Sequence, residues 1–207
     1  VDSPDWENLT QGFRKSFAIA ISDTPRRTQN RLAERFDHPL PEMKWTELRN
    51  EPDTDWSLPQ NSQWAEQIVA RTQASLREIP LIIRDEEIHH DPNSTRNGLC
   101  LDPSRPGVVL CRFAQANETD MDRAVAWAKA DPSGWRKLAI AQRSEILGRV
   151  AQEIRRARAD LMWAAMANGG KTLAESDPEV SEAVDFLEFY RATASYFFEM
   201  PGLNARP

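Results

Sequence analysis

The sequence predicts a mainly α-helical fold with a short β-hairpin and one or two further strands. Three observations carry that prediction. From Thr119 onward, apolar residues such as Ile146, Leu147, Val150, Ile154, Leu161 and Ala165 recur mostly three or four apart, the spacing that lines one face of an α-helix. Two short runs, Leu81-Ile82-Ile83 and Ile88-His89-His90, flank the polar Arg84-Asp85-Glu86-Glu87 and suit a strand pair about a turn. Val108-Val109-Leu110-Cys111-Arg112-Phe113 is rich in strand formers and follows Pro106-Gly107. With 207 residues, 40% of them hydrophobic and 28% charged, the chain has the composition of a globular protein of one ordinary domain or two small ones.

In chain order, Phe13, Phe17 and Ile21 stand four apart and give a helical signal that Pro25 interrupts. Arg27 to Phe36 continues as a basic, weakly amphipathic stretch, and His38-Pro39-Leu40-Pro41 breaks it. Residues 1–45 therefore read as a linker or the end of a preceding domain, with 46–207 as the main body. Asn50 to Pro59 is rich in turn formers and predicts an irregular, extended path. Asn61 or Ser62 then caps a helix through Trp64, Ile68, Val69 and Leu76 to about Glu78, which Pro80 ends. Thr119 is the expected N-cap of the next helix, with Asp122 three residues on and Ala124, Val125 and Ala128 as its apolar stripe. Asp131-Pro132-Ser133-Gly134 breaks it. One long amphipathic stretch follows and stops at Asn168-Gly169-Gly170, where glycine takes a left-handed conformation without steric cost. Asp177 with Pro178 opens the last helix, whose core face is Val180, Ala183, Val184, Leu187, Tyr190, Ala194 and Phe197.

Charge narrows the function. The net charge is −6 and no long basic block appears, so a nucleic-acid or membrane-surface partner is not expected. No apolar run is long enough to span a bilayer. Val1-Asp2-Ser3-Pro4-Asp5 has neither the basic nor the apolar region of a secretory signal. With two cysteines and no disulfide framework, the cytosol with reduced thiols is the expected compartment.

Few residues suggest chemistry. His89 and His90 are adjacent, so on a strand they point to opposite faces and cannot readily chelate one ion. His38 is the third histidine, and zinc catalysis is not expected. Cys111 falls in an apolar strand as an inert thiol, while Cys100 is expected in a loop near Asp102, whose charge would raise the thiol pKa. The two read as unclustered, and neither as a nucleophile. Gly169-Gly170-Lys171-Thr172 follows a helix and has Ala165 where a phosphate-binding loop needs glycine, so it reads as a helix-to-helix turn. Arg149, Arg155, Arg156 and Arg158 alternate with Glu145, Glu153 and Asp160 as a solvated helix face. In the last helix Glu175, Glu179, Glu182, Asp185 and Glu188 include pairs three or four apart that share a face. Glu182 lies at the edge of the apolar stripe, where a boundary salt bridge is the ordinary role.

Several stretches together resemble a known family. Asn168-Gly169-Gly170-Lys171-Thr172-Leu173-Ala174-Glu175 and the following Glu182-Ala183-Val184-Asp185-Phe186 are similar to the glycine-lysine turn and helix of aldehyde dehydrogenases. Arg49-Asn50-Glu51-Pro52, the strand pair from Pro80 to Ile88, and Trp135 through Tyr190 resemble the delta-1-pyrroline-5-carboxylate dehydrogenase branch, in that order, over roughly residues 46–200. The resemblance implies the N-terminal helical layer of an α/β parent enzyme that oxidises L-glutamate γ-semialdehyde to glutamate with NAD. In that family a cysteine thiolate adds to the aldehyde, hydride passes to NAD, and a glutamate-activated water hydrolyses the thioester. It further implies that the nucleophile and the dinucleotide-binding loop lie beyond Pro207, and that the chain alone holds no catalytic residue and no cofactor. Glu182 matches a family glutamate lining the substrate pocket. The hairpin region implies a homo-oligomer, with the rest of the parent polypeptide as partner. Asn168 stands where many relatives carry an acidic residue. Glu7-Asn8-Leu9-Thr10-Gln11-Gly12-Phe13 faintly resembles the closing helix of a proline dehydrogenase barrel, which would bring FAD only if such a domain precedes. The other reading is a free-standing helical interaction module that keeps the scaffold without the enzyme.

Overall fold

In the computed structural model residues 3–18, 27–42, 44–71, 77–91 and 93–200 are described. Among them the fold is mainly helical: α1 (Pro4–Ser16), α2 (Pro59–Val69), α3 (Glu118–Ala130), α4 (Ile140–Arg156), α5 (Arg158–Gly169) and α6 (Leu173–Glu199). Single turns of 3-10 helix lie at Trp45–Glu47 and Trp135–Lys137. The strands are β1 (Arg77–Ile79), β2 (Leu81–Ile83), β3 (Glu86–Ile88), β4 (Asn97–Leu101) and β5 (Val109–Ala114).

The core forms where α2, α5 and α6 meet. Trp64 and Ile68 of α2, Met162 of α5 and Val180 of α6 are buried together, with Trp56, Ile154, Trp163, Met166 and Leu173 packed against them. Trp56 and Trp64 stack with ring centroids 6.0 Å apart, offset aromatic packing that adds to their area burial. Along the other side of α6 runs α4.

The strands make two small sheets. β5 is central in one, parallel to β1 and antiparallel to β4, and β2 and β3 form a separate antiparallel hairpin. Pro80 stands between β1 and β2. Without an N–H it cannot continue a ladder, and the two strands join different sheets. The expected hairpin is present, with its second strand at Glu86–Ile88 and His89-His90 just after it. Its turn places Arg84 at φ 62°. β1 and β4 were not expected. At Gly98 of β4 a side chain would fall inside the Phe113 ring of the facing strand, so this pairing depends on glycine there.

Several helix boundaries differ from expectation. The stretch from Arg27 to Phe36 forms no helix. Asn30 Oδ1 accepts the Leu32 N–H, and the Arg31 N–H donates to Asn61 Oδ1 at 3.0 Å, local bonds that compete with a helical ladder. Asn61 is fully buried, donates to Gln29 and to the Asp55 carbonyl, and so caps nothing. Instead Pro59 occupies the first turn of α2, where its fixed φ suits a helix start. The helix ends at Val69, Leu76 lies outside the described residues, and Glu78 belongs to β1.

At α3 the cap is Asn117 rather than Thr119, closed by Asp120 in a capping box. Ala124, Val125 and Ala128 are exposed, and the buried residue of that helix is Asp120. The long amphipathic stretch is two helices, because Ala157 at φ −85° and ψ 4° leaves the helical region between α4 and α5. α6 begins a turn before Asp177, where Thr172 and Glu175 form a capping box, and Pro178 lies inside the helix. Its expected core face holds at Val180 and Val184, while Tyr190 and Phe197 are exposed. At α1 Ser3 accepts the Trp6 N–H and Phe13 meets Phe17 edge to face at 4.9 Å. Ile21 and Pro25 lie outside the described residues.

Candidate substrate groove and its buried support

Glu182 opens onto a cavity of about 340 Å³ on the outer side of α6, lined also by Leu48, Asn50, Asp185, Phe186, Phe189 and Tyr190. Helical geometry sets Glu182, Asp185, Phe186 and Phe189 on one face, three and four residues apart. Asp185 is partly engaged, because its Oδ1 accepts the Glu51 N–H at 2.5 Å. Glu182 is exposed. An exposed carboxylate beside aromatic rings suits an organic cation, which gains from both charge and ring faces.

Beneath the groove a buried ionic network fastens residues 51–54 to three helices. Asp177 is fully buried, and its carboxylate accepts from Arg158 Nη1 at 2.7 Å, the Thr54 N–H at 2.5 Å and the Thr54 hydroxyl at 2.9 Å. Glu51 accepts from Arg158 Nη2 at 3.2 Å and Arg155 Nε at 2.9 Å. Arg155 continues to Glu188 at 3.0 Å, and Arg191 Nη1 meets the other Glu188 oxygen at 2.5 Å. Burial alone would lower the Arg155 pKa, but Glu51 and Glu188 more than reverse it and leave it raised. Each charge is matched, as buried charges must be. The network sets the backbone at Asn50-Glu51, and so the wall of the groove, against α6.

The sequence reading missed this network. It placed Arg155 and Arg158 on a solvated face, yet Arg158 is 2% exposed. Only Arg149 with Glu145 and Arg156 with Glu153 form exposed pairs of the expected kind. The signal that could have found it is a charged residue inside an apolar stripe, as at Asp177 and Glu188, together with Glu51 in Arg49-Asn50-Glu51-Pro52.

Other candidates fall as follows. His89 lies between Glu78 and Glu87, each at 3.3 Å. Among the described residues no three His, Cys, Asp or Glu gather into a metal site. No helix there is long and apolar enough to cross a membrane. Gly169-Gly170-Lys171-Thr172 is a helix-to-helix turn with Gly170 at φ 66°. It follows a helix rather than a strand, so it does not fit a dinucleotide cradle. Cys100 is in β4, not in a loop, and is the Cα partner of Cys111 across the sheet. The two cysteines are therefore neighbours, a pairing that their separation in sequence hid.

The chain is similar to known proteins of one class. Residues 90–200, more than half of the chain, match the aldehyde dehydrogenase family, and the chain belongs to that family. Among curated proteins it is similar to 1-pyrroline-5-carboxylate dehydrogenase of Geobacillus thermodenitrificans (strain NG80-2), with 30% identity over 143 residues, 69% of this chain and 27% of the relative. The Staphylococcus epidermidis protein of the same name is 27% identical over 144 residues, again 69% of this chain and 27% of the relative. The chain thus spans about a quarter of the length of these relatives. Among solved structures it is similar to 1-pyrroline-5-carboxylate dehydrogenase from Thermus with bound NAD, at TM-score 0.67 and 25% identity over 77% of this chain and 30% of that one. Proline utilization A from Bdellovibrio bacteriovorus shares the fold at TM-score 0.68 and 22% identity, over 76% of this chain and 16% of that one.

Proposed function

We propose that this chain is the N-terminal portion of an NAD-dependent dehydrogenase that oxidises L-glutamate γ-semialdehyde, formed from 1-pyrroline-5-carboxylate, to glutamate. The observation that carries the reading is the match, over about two thirds of the chain, to relatives named 1-pyrroline-5-carboxylate dehydrogenase. In this reading the nucleophilic cysteine and the NAD site belong to the rest of the parent polypeptide, and residues 1–207 supply scaffold and one wall of the substrate groove. Glu182 is the substrate-facing residue. Its exposed carboxylate beside Phe186 and Tyr190 suits the substrate's ammonium group.

Residues 1–45 are a linker or the tail of a preceding domain, and residues 46–207 begin the dehydrogenase. The absence of buried residues in α1 supports this division for residues 4–16, while Arg31 is bonded to Thr54 and Asn61 of the main body. FAD would enter only with a proline dehydrogenase domain ahead of it. Self-association runs through the β2–β3 hairpin, where Ile82 is 62% exposed on a two-stranded sheet with open edges.

The test is NADH formation from 1-pyrroline-5-carboxylate. The full-length polypeptide should reduce NAD, and residues 1–207 alone should give no NADH above a no-protein control. Glu182→Gln in the full-length protein should raise KM about tenfold with kcat little changed, as for loss of a charge-assisted contact. NADH from residues 1–207, or none from the full-length protein, would overturn the reading. An unchanged KM would remove Glu182 from it.

A further inference from the structure

Cys100 and Cys111 face one another across β4 and β5 as direct partners in the antiparallel register. Direct partners project from the same face of a sheet. Their Cα atoms in such a ladder lie about 4.5–5.5 Å apart, within the roughly 4.4–6.8 Å that a disulfide spans. Both are free and half-buried. The register shifts between Cys100 and Leu101, a bulge where the backbone can adjust locally. Both thiols line a cavity of about 380 Å³ with Arg77, Phe113, Trp163 and Asn168, so a small oxidant has room to reach them.

We infer that Cys100 and Cys111 form a thiol-modification site, at which a hydroperoxide oxidises the pair to an intramolecular disulfide. The inference is independent of the proposed function. The Cys100 sulfur attacks the peroxide, the O–O bond breaks, and one oxygen leaves as water or alcohol while the other becomes a sulfenic acid on Cys100. The Cys111 sulfur then attacks that sulfur and displaces the oxygen as water, with the Cys111 proton leaving in it. Two electrons pass from the thiol pair to the peroxide. The order follows from the surroundings: burial, and next the neighbouring Cys100, push the Cys111 thiol up, so Cys100 supplies the first nucleophile. Reduced Cys100 donates its S–H to Asn168 Oδ1 at 2.6 Å. Oxidation removes that donor and releases Asn168, the penultimate residue of α5, beside the left-handed Gly170 that caps it.

The sequence supplies a clean assay. Trypsin cuts after Arg96 and Arg112 but not after Arg105, which precedes Pro106, so both cysteines fall in the single peptide 97–112. The full-length protein is exposed to hydrogen peroxide, quenched, alkylated, digested and weighed. The expected peptide is lighter by two hydrogens, takes no alkyl group until it is reduced, and forms more slowly when the protein is unfolded in urea beforehand. Two alkylated cysteines, a sulfinic or sulfonic product, a link to another chain, or an equal rate in urea would each overturn the inference. In Cys111→Ser, Cys100 should stop at the sulfenic acid and be trapped by dimedone. Failure to trap it, with the wild-type disulfide intact, would overturn the assigned order.

Discussion

Burial leaves Asp177 and Arg158 dependent on each other, because neither charge has water to turn to. Removing Asp177 leaves Arg158 with Glu51 at 3.2 Å as its one remaining carboxylate among the described residues. Asp177→Ala should therefore lower unfolding free energy by about 3–5 kcal/mol, measured by urea denaturation. Arg158→Met combined with Asp177→Ala should cost less than the sum of the two single changes, because no charge is left stranded. At the start of α6 the Thr172 N–H and hydroxyl, helped by Lys171, hold the Glu175 carboxyl below the ordinary glutamate range. Its contribution is complete above the unfolded-state value and is lost as pH falls through the depressed folded value. The carboxyl carbon of Glu175 should titrate below a free glutamate, and Thr172→Ala should move its midpoint upward. The capping pair Thr172 and Glu175 could have been read from their three-residue spacing. Asp177-Pro178 is the more conspicuous start signal, because proline suits the first turn of a helix better than its interior.

Elements fixed by local chemistry were the legible ones. Asn168-Gly169-Gly170 stops α5 as expected, with Gly170 left-handed and a side chain there 3.0 Å from Pro103 Cγ. Gly170→Ala should cost about 1–2 kcal/mol from the left-handed backbone alone, read as a shift of the urea midpoint at unchanged slope. β2 and β5 were legible for the same reason, as compact runs of strand formers, whereas β3 lies at Glu86–Ile88, two residues ahead of the run Ile88-His89-His90 that marked it. β1 and β4 were not. Arg77-Glu78-Ile79 has no strand pattern of its own and exists because β5 offers it a parallel edge. Asn97–Leu101 carries a glycine, and its place depends on the Phe113 ring lying over that position. Such pairings are nonlocal, and a periodicity confined to a short window does not hold them. The split of one amphipathic stretch into α4 and α5 was hidden similarly, since the apolar spacing runs on through Ala157.

Across the whole molecule the apolar pattern told which residues share a face but not what covers it. The stripe of α6 reads as one core face, yet its Tyr190 and Phe197 are about half exposed, and so are Phe186 and Phe198 outside that stripe. A contiguous apolar surface of this kind invites association. Residues 1–207 produced alone should bind an apolar dye and scatter more light as concentration rises. Phe189→Glu with Phe198→Glu should reduce both, whereas the full-length protein should show neither at the same concentrations. The candidate groove was legible only at Glu182, through family resemblance. Its Leu48-Asn50 wall was not, because it depends on bonds such as Glu51 to Asp185, 134 residues apart.

That reach also bears on how the chain is made. Thr54 leaves the ribosome 123 residues ahead of Asp177, the group that receives both its N–H and its hydroxyl. At about 5–20 residues per second, the segment around Glu51 and Thr54 waits roughly 6–25 s with its partners not yet synthesised. Over that interval it stays hydrated and open to chaperones. The groove wall therefore cannot close until Asp177 has emerged, 123 residues after Thr54.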